Sequence, residues 1–307
     1  MTGRKLLFAG LAIAAVVLAS PVPGSRLVAQ AIERSMIVSV VNEAGAPIAE
    51  LGPTDFVIRE DNAAREVLNV GPATEPMHIA LLVDTSRASR ENIAHYRTAL
   101  PPFIATLINA NATGAKNQVA LLAFGERPTV ITNYTSSLTE LERGINRLWA
   151  LDDSGAYLLD ALYEVCQGFD KRETRRPVIV AITQEGRELS YRHYDQVLGP
   201  LRGSGAPFHA LALGTPNAGL DDEARSRNIV LDEGTRGTGG SREQLLTPMA
   251  LAGKLKQLAT VLTHQYLVTY AHPDSLIPPE RVTVSAKASG MTARGTLVKD
   301  KILQGRR

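Results

Sequence analysis

Four runs, at 78–83, 118–124, 177–182 and 208–213, are apolar at almost every position, and helical periods intervene or follow at 90–109, 138–149, 157–169, 191–201 and 250–262. A strand that is apolar on both faces has no side to offer water, so it belongs inside a sheet covered on both faces. Parallel neighbours require long crossovers, and an amphipathic helix in each crossover supplies that cover. The pattern predicts a doubly wound α/β domain over 76–264, with a mostly parallel sheet of about six strands and helices on both faces. Sheets of this kind gather their ligand site at the carboxyl ends of the strands, where strand order reverses.

Outside that region the period becomes that of short strands. β-branched residues dominate 36–41, a turn follows at Asn42-Glu43-Ala44-Gly45, and further strands are predicted at 56–59, 66–70, 264–270 and 281–288. Neither end buries a core alone, so 35–75 is expected to pack with 265–298 as a small β unit. Ahead of both, Arg4 and Lys5 precede an apolar run at 6–19 that stops at Ser20-Pro21-Val22-Pro23-Gly24. This is the layout of a secretory signal peptide over 1–31, cleaved after 19 or 31. The run is short for a spanning helix, so the only membrane association expected is an uncleaved signal anchor. The expected location is secreted or periplasmic.

Thirty-three basic residues against 31 acidic ones give no electrostatic reason to expect nucleic acid or an anionic membrane as partner. Cys166, the single cysteine, lies on the apolar stripe Leu158, Leu162, Val165, Cys166, Phe169 and reads as a packed, inert thiol.

The first apolar strand ends in Leu82-Val83-Asp84-Thr85-Ser86-Arg87-Ala88-Ser89. Here the sequence resembles the von Willebrand factor A family, whose first strand ends in Asp-x-Ser-x-Ser. Phe56 in Thr54-Asp55-Phe56, Asp160-Ala161-Leu162, Thr238-Gly239-Gly240 and Gln265-Tyr266-Leu267-Val268-Thr269-Tyr270 extend the resemblance to the VWFA-related proteins common in acidobacteria. The resemblance implies a Rossmann-like fold, an interaction module that is not an enzyme, and a metal-ion-dependent adhesion site holding a divalent cation, usually Mg2+. Such a cation needs a near-octahedral shell of oxygens. Asp84 and Ser86 match the first two ligand positions, but Ala88, Ala156 and Gln184 stand where the family has a serine, a threonine and an aspartate. The site is thus read as degenerate, with weak or no metal binding. Ser89, Asp153, Ser154 and Glu185 are the neighbouring oxygens, and Arg87, Ser89, Asp153 and Glu185 are the expected partner-binding residues. Arg87 and Arg90 offer guanidinium groups in place of the cation.

Other chemistries find little support. The six histidines show no zinc spacing, and no Gly-x-Ser-x-Gly elbow frames Ser86, for which His193 or His209 would be the base. No catalytic residues and no organic cofactor are expected. The function expected is adhesion to a protein or matrix ligand in the cell envelope, with a structural scaffold as alternative and an exported hydrolase as a remote one.

Overall fold

The computed structural model describes residues 31–299 except 111–113, 115, 217–220 and 275–276. The signal segment therefore lies outside the described residues, apart from its last position. Strands β1 (Ala31–Asn42), β2 (Phe56–Glu60), β3 (Ala63–Arg65) and β4 (Val67–Pro72) come first. Then β5 (His78–Val83) leads through a short 3-10 turn into α1 (Ile93–Asn109), followed by β6 (Gln118–Ala123), β7 (Thr129–Thr135), α2 (Leu138–Asn146) and α3 (Leu158–Lys171). Next come β8 (Pro177–Gln184), α4 (Tyr194–Gly203), β9 (Phe208–Leu213) and α5 (Asp222–Ile229). A π-helical turn (Val230–Gly234) carries α5 into α6 (Thr235–Gly237). The chain closes with β10 (Ser241–Leu245), α7 (Ala250–Thr263), β11 (Tyr266–Pro273), β12 (Val282–Ala286) and β13 (Met291–Leu297).

The central sheet has six strands in the order β10-β9-β8-β5-β6-β7, all parallel except β7. The doubly wound, mostly parallel α/β architecture read from the sequence is the architecture found. Its two faces take alternate residues of each strand. Ile79, Leu81 and Val83 of β5 pack with α1, α2 and α7, while Ala80 and Leu82 pack with α3, α4 and the turn after α5. The second face uses small residues, Ala80, Ala120, Ala181 and Ala210, which let its helices approach closely. Cys166 is buried on that face, and burial pushes its thiol up to about 12.

The remaining strands form two further sheets, β13-β1-β11-β4 and β12-β2-β3, around a core of Met36, Val38, Val40, Phe56, Ile58, Val268 and Tyr270. They join the first and last parts of the described chain, with Met36 opposite Val268 on one side and Leu297 on the other. Arg176 ties this unit to the base of the central sheet. Its buried guanidinium donates to the carbonyls of Ala73, Glu75 and Leu262 and to Gln265 Oε1, and Gln265 in turn donates to Ser39. Among the described residues, no helix is long and apolar enough to cross a membrane.

Candidate functional site

β5 lies between β6 and β8, so strand order reverses there, and this is the switch point at which sheets of this kind have their crevice. Asp84 is the first residue beyond β5. It is fully buried, and each carboxylate oxygen accepts a backbone N–H: Oδ1 from Ser86 at 2.8 Å, Oδ2 from Gln184 at 2.9 Å. Burial raises its pKa; the hydrogen bonds from Gln184 and Ser86, and the charge of Arg227, oppose that shift without cancelling it. The carboxyl stitches the first loop to the end of β8 across the switch point.

The loops around Asp84 are locked by main-chain contacts. Leu151 N donates to Thr85 O at 2.9 Å, Tyr157 N to Phe124 O at 2.8 Å, and Ala156 pairs with both Arg187 and Leu189. Gly125 lies so close to Thr85 that a Cβ would fall 2.3 Å from its carbonyl carbon, so only glycine fits. Likewise a Cβ on Gly186 would fall 2.8 Å from the Ala88 methyl, which packs on the third loop.

Each residue singled out from the sequence has a definite place. Ser86 is buried, beginning the 3-10 turn at Arg87–Asn92. Ser89 has no exposed surface, and its hydroxyl donates to Ser86 O at 2.7 Å. Ser154 accepts from Arg87 N and donates to Leu151 O. Arg87 and Asp153 face solvent 3.5 Å apart, and Arg90 pairs with Asp152 beside them. Gln184 turns its amide away from the crevice, donating to the Tyr96 hydroxyl at 2.6 Å. Glu185 is nearly buried and pairs with Arg227 at 3.0 Å. His209 contacts Ser241 on the neighbouring strand and His193 contacts Asp195; neither is recorded as a partner of Ser86.

Arg227, on α5, is a residue of the candidate site that sequence reasoning missed. Its side chain is buried, and the guanidinium donates to Glu185 Oε2, Gln184 O and Thr183 Oγ1. The guanidinium in the site is therefore this one, while Arg87 and Arg90 remain at the surface in ion pairs. A signal existed: Ala224, Arg227, Val230 and Leu231 share a buried helical stripe, and an arginine on such a stripe announces a buried charge. Glu188 was also missed. Its Oε1 accepts from Leu158 N at 3.0 Å and from the Ser190 hydroxyl at 2.5 Å, closing the first turn of α3. Ser190 and Asp160 complete that closure, with Asp160 N donating to Ser190 Oγ and Asp160 accepting from Tyr191 N and Arg192. Burial pushes the Glu188 carboxyl up to about 7 despite the Ser190 hydrogen bond and the charge of Arg227.

Large apolar side chains gather around this edge. Of the eight that are exposed among the described residues, five lie in or beside loops at the carboxyl edge of the sheet: Val130, Trp149, Tyr191, Leu246 and Met249. Trp149 is 69% exposed and Tyr191 89%, and the Tyr191 ring lies 6.1 Å from that of Tyr157.

Residues 79–186 match the model of the von Willebrand factor type A domain family. No curated protein matches the sequence. The fold is similar to that of several solved structures at low identity. Proximal thread matrix protein 1 from the mussel byssus is 15% identical, with a TM-score of 0.49 over 70% of this chain, which spans 50% of the mussel protein. A von Willebrand factor type A protein from Catenulispora acidiphila is 12% identical over 88% of this chain and 73% of its own, with a TM-score of 0.47. The domain of the type V pili tip protein Mfa5 from Porphyromonas gingivalis is 8% identical over 62% of this chain and 96% of its own, also at 0.47.

Proposed function

Because the chain carries a von Willebrand factor type A domain, we propose that it is a non-enzymatic binding module that grips another protein through the carboxyl edge of its central sheet, without a metal ion. The observation that carries this reading is that five of the eight exposed large apolar side chains among the described residues lie along that edge, two of them aromatic, beside loops held by main-chain hydrogen bonds. Aromatic anchors on a preorganised surface supply contact area at little entropic cost, as interfaces require.

The donor set argues for metal independence. Both Asp84 oxygens accept backbone N–H groups, the Ser89 hydroxyl donates to a carbonyl, and Gln184 points to Tyr96. The buried guanidinium of Arg227 acts electrostatically on Asp84. A small hard cation would have to displace these hydrogen bonds while facing a fixed positive charge, so the residues present do not fit Mg2+. Arg227 supplies the positive charge that the family's cation supplies elsewhere. The segment read as a signal peptide extends the proposal to a secreted or periplasmic protein.

The alternative, a scaffold whose site is silent, draws on the complete hydrogen bonding of Asp84. Site-specific photo-crosslinking in cells separates the two. Crosslinkers at Trp149 and Tyr191 are expected to capture the same protein, with yields unchanged by a chelator, and one at Lys116, beside the opposite edge, is expected to capture none. Equal capture from all three positions, or none from any, would leave the scaffold. Loss of capture with chelator would restore the metal.

A further inference from the structure

Beside the crevice, between the loop after β8 and the start of α5, lies a cavity of about 140 Å³ lined by Leu159, Glu188, Ser190, Tyr191, Ser226 and Glu223, among others. Two of its lining groups are buried and unsatisfied. Glu188 is 5% exposed and Ser226 2%, and neither Glu188 Oε2 nor Ser226 Oγ has a hydrogen-bond partner. A buried polar atom left unpaired is costly and uncommon; here a carboxylate oxygen that can only accept when ionised borders the same cavity as an unpaired hydroxyl, which describes a site lacking a donor for Glu188.

The charges around the cavity decide which donor. Its cations are already engaged: Arg192 by Asp160 at 2.9 Å and by the Tyr163 ring at 4.0 Å, and His193 by Asp195 at 3.2 Å. Asp222 lies 3.5 Å from Arg225, whereas no ion pair is recorded for Glu223 among the described residues. The balance left within and at the mouth of the cavity is acidic, from Glu188 and Glu223. Drug-sized ligands occupy pockets of about 300–1,000 Å³, so this one suits a single side chain. A compact ammonium with three donors matches two scattered acceptors better than a planar guanidinium, which requires paired ones.

We propose that this cavity receives one lysine side chain of the protein partner, its ammonium donating to Glu188 Oε2 and Ser226 Oγ while its methylenes pass Leu159 and Tyr191. The assignment rests on the protein-binding reading above and gives the partner its chemistry: a lysine presented to the carboxyl edge of the sheet.

The test is an NMR titration of the full chain with Nα-acetyl-lysine methylamide, with the norleucine analogue as the uncharged counterpart. Saturable shifts are expected at the amides of Ser190, Tyr191 and Ser226. Affinity should fall about tenfold or more with the norleucine probe and with Glu188→Gln. That variant keeps an oxygen to accept from Leu158 N and Ser190, so it retains the closure of α3, and circular dichroism verifies its fold. Ser226→Ala is expected to weaken binding several-fold. Equal response to the two probes, or an undiminished response in Glu188→Gln, overturns the assignment. If the probe fails while crosslinking from Trp149 and Tyr191 succeeds, the lysine is wrong and the binding edge stands. If the probe binds and crosslinking fails, the cavity takes an amine but not from a protein partner, and the proposal falls with the reading beneath it.

Discussion

Two carboxyls, Glu60 in the β unit and Glu188 beside the crevice, are almost equally buried, at 2% and 5% exposure, yet their surroundings push them in opposite directions. Burial alone would raise Glu60, but hydrogen bonds from His272, Arg65 and Tyr270 outweigh it and hold the carboxyl below its usual value. Arg65 Nε lies 2.8 Å away, His272 Nδ1 2.8 Å and the Tyr270 hydroxyl 3.0 Å, so both oxygens are engaged. At Glu188 one oxygen closes a helix and the other meets no donor, so burial prevails and the group titrates near 7. Low solvent exposure does not by itself set the state of a carboxyl; the desolvation by the atoms packed around it, stronger at Glu188, and the donors aimed at it, more numerous at Glu60, do.

The contrast breaks most visibly at Arg227, whose guanidinium is buried against the end of β8 and the loop beyond it. Arg227→Met is expected to cost about 3–5 kcal/mol in urea unfolding, because Glu185 and the Gln184 carbonyl lose a charged partner that water cannot replace. If the variant is as stable as the parent, the guanidinium is not what holds the third loop.

Glu188→Gln should act in the opposite sense, and only on one side of neutrality. A folded-state pKa near 7, above the unfolded 4.5, gives stability that is fully present below pH 4.5 and lost as pH rises to 7. The substitution removes that loss, so at pH 8 the variant should be more stable by up to about 3 kcal/mol, with little difference at pH 4. A pH-independent difference would contradict it.

Glu60→Gln should give the mirror image with a smaller amplitude, about 2 kcal/mol at pH 7 from weakened charge-assisted hydrogen bonds. A lowered pKa means stability present above the unfolded value and lost as pH falls through the folded one. The gap between parent and variant should therefore close toward acid. A gap that widens there would show that Glu60 is not the ionised partner of Arg65 and His272.

The smallest effects sharpen the picture of the edge itself. Tyr191→Ala should leave stability within about 0.5 kcal/mol, since the side chain is almost wholly in water, while reducing crosslinking from Trp149. Magnesium should leave the melting temperature unchanged. A metal held in the native state at a hundredfold excess over its Kd would contribute about 2.7 kcal/mol, a shift that calorimetry would register.

Much of the fold was legible in the chain because solvent exclusion writes itself into periodicity. The runs at β5, β6, β8 and β9 are apolar throughout because both faces are covered, and α1, α3 and α7 carry their stripes at helical spacing. The edge strands β7 and β10 escaped, with patterns that are half polar because one side of each meets no further strand. α1 runs through Pro101 and Pro102, as the helical period at 90–109 predicts, although proline inside a helix removes a hydrogen bond.

The site divided differently. Asp84 and the substitutions at Ala88, Ala156 and Gln184 can be read from the residues, since a strand-end motif is local. Sequence by itself thus determined the layers of the fold and the place of Asp84 at the end of its first central strand. Only the tertiary structure decided that Arg227, more than 40 residues beyond Thr183, Gln184 and Glu185, donates to all three, and that Glu188 and Ser226 border one cavity with a carboxylate oxygen and a hydroxyl unmet. The reason is physical. Burial of an apolar side chain follows from its own chemistry, whereas the state of a buried charge depends on which distant donors the fold brings within about 3 Å of it.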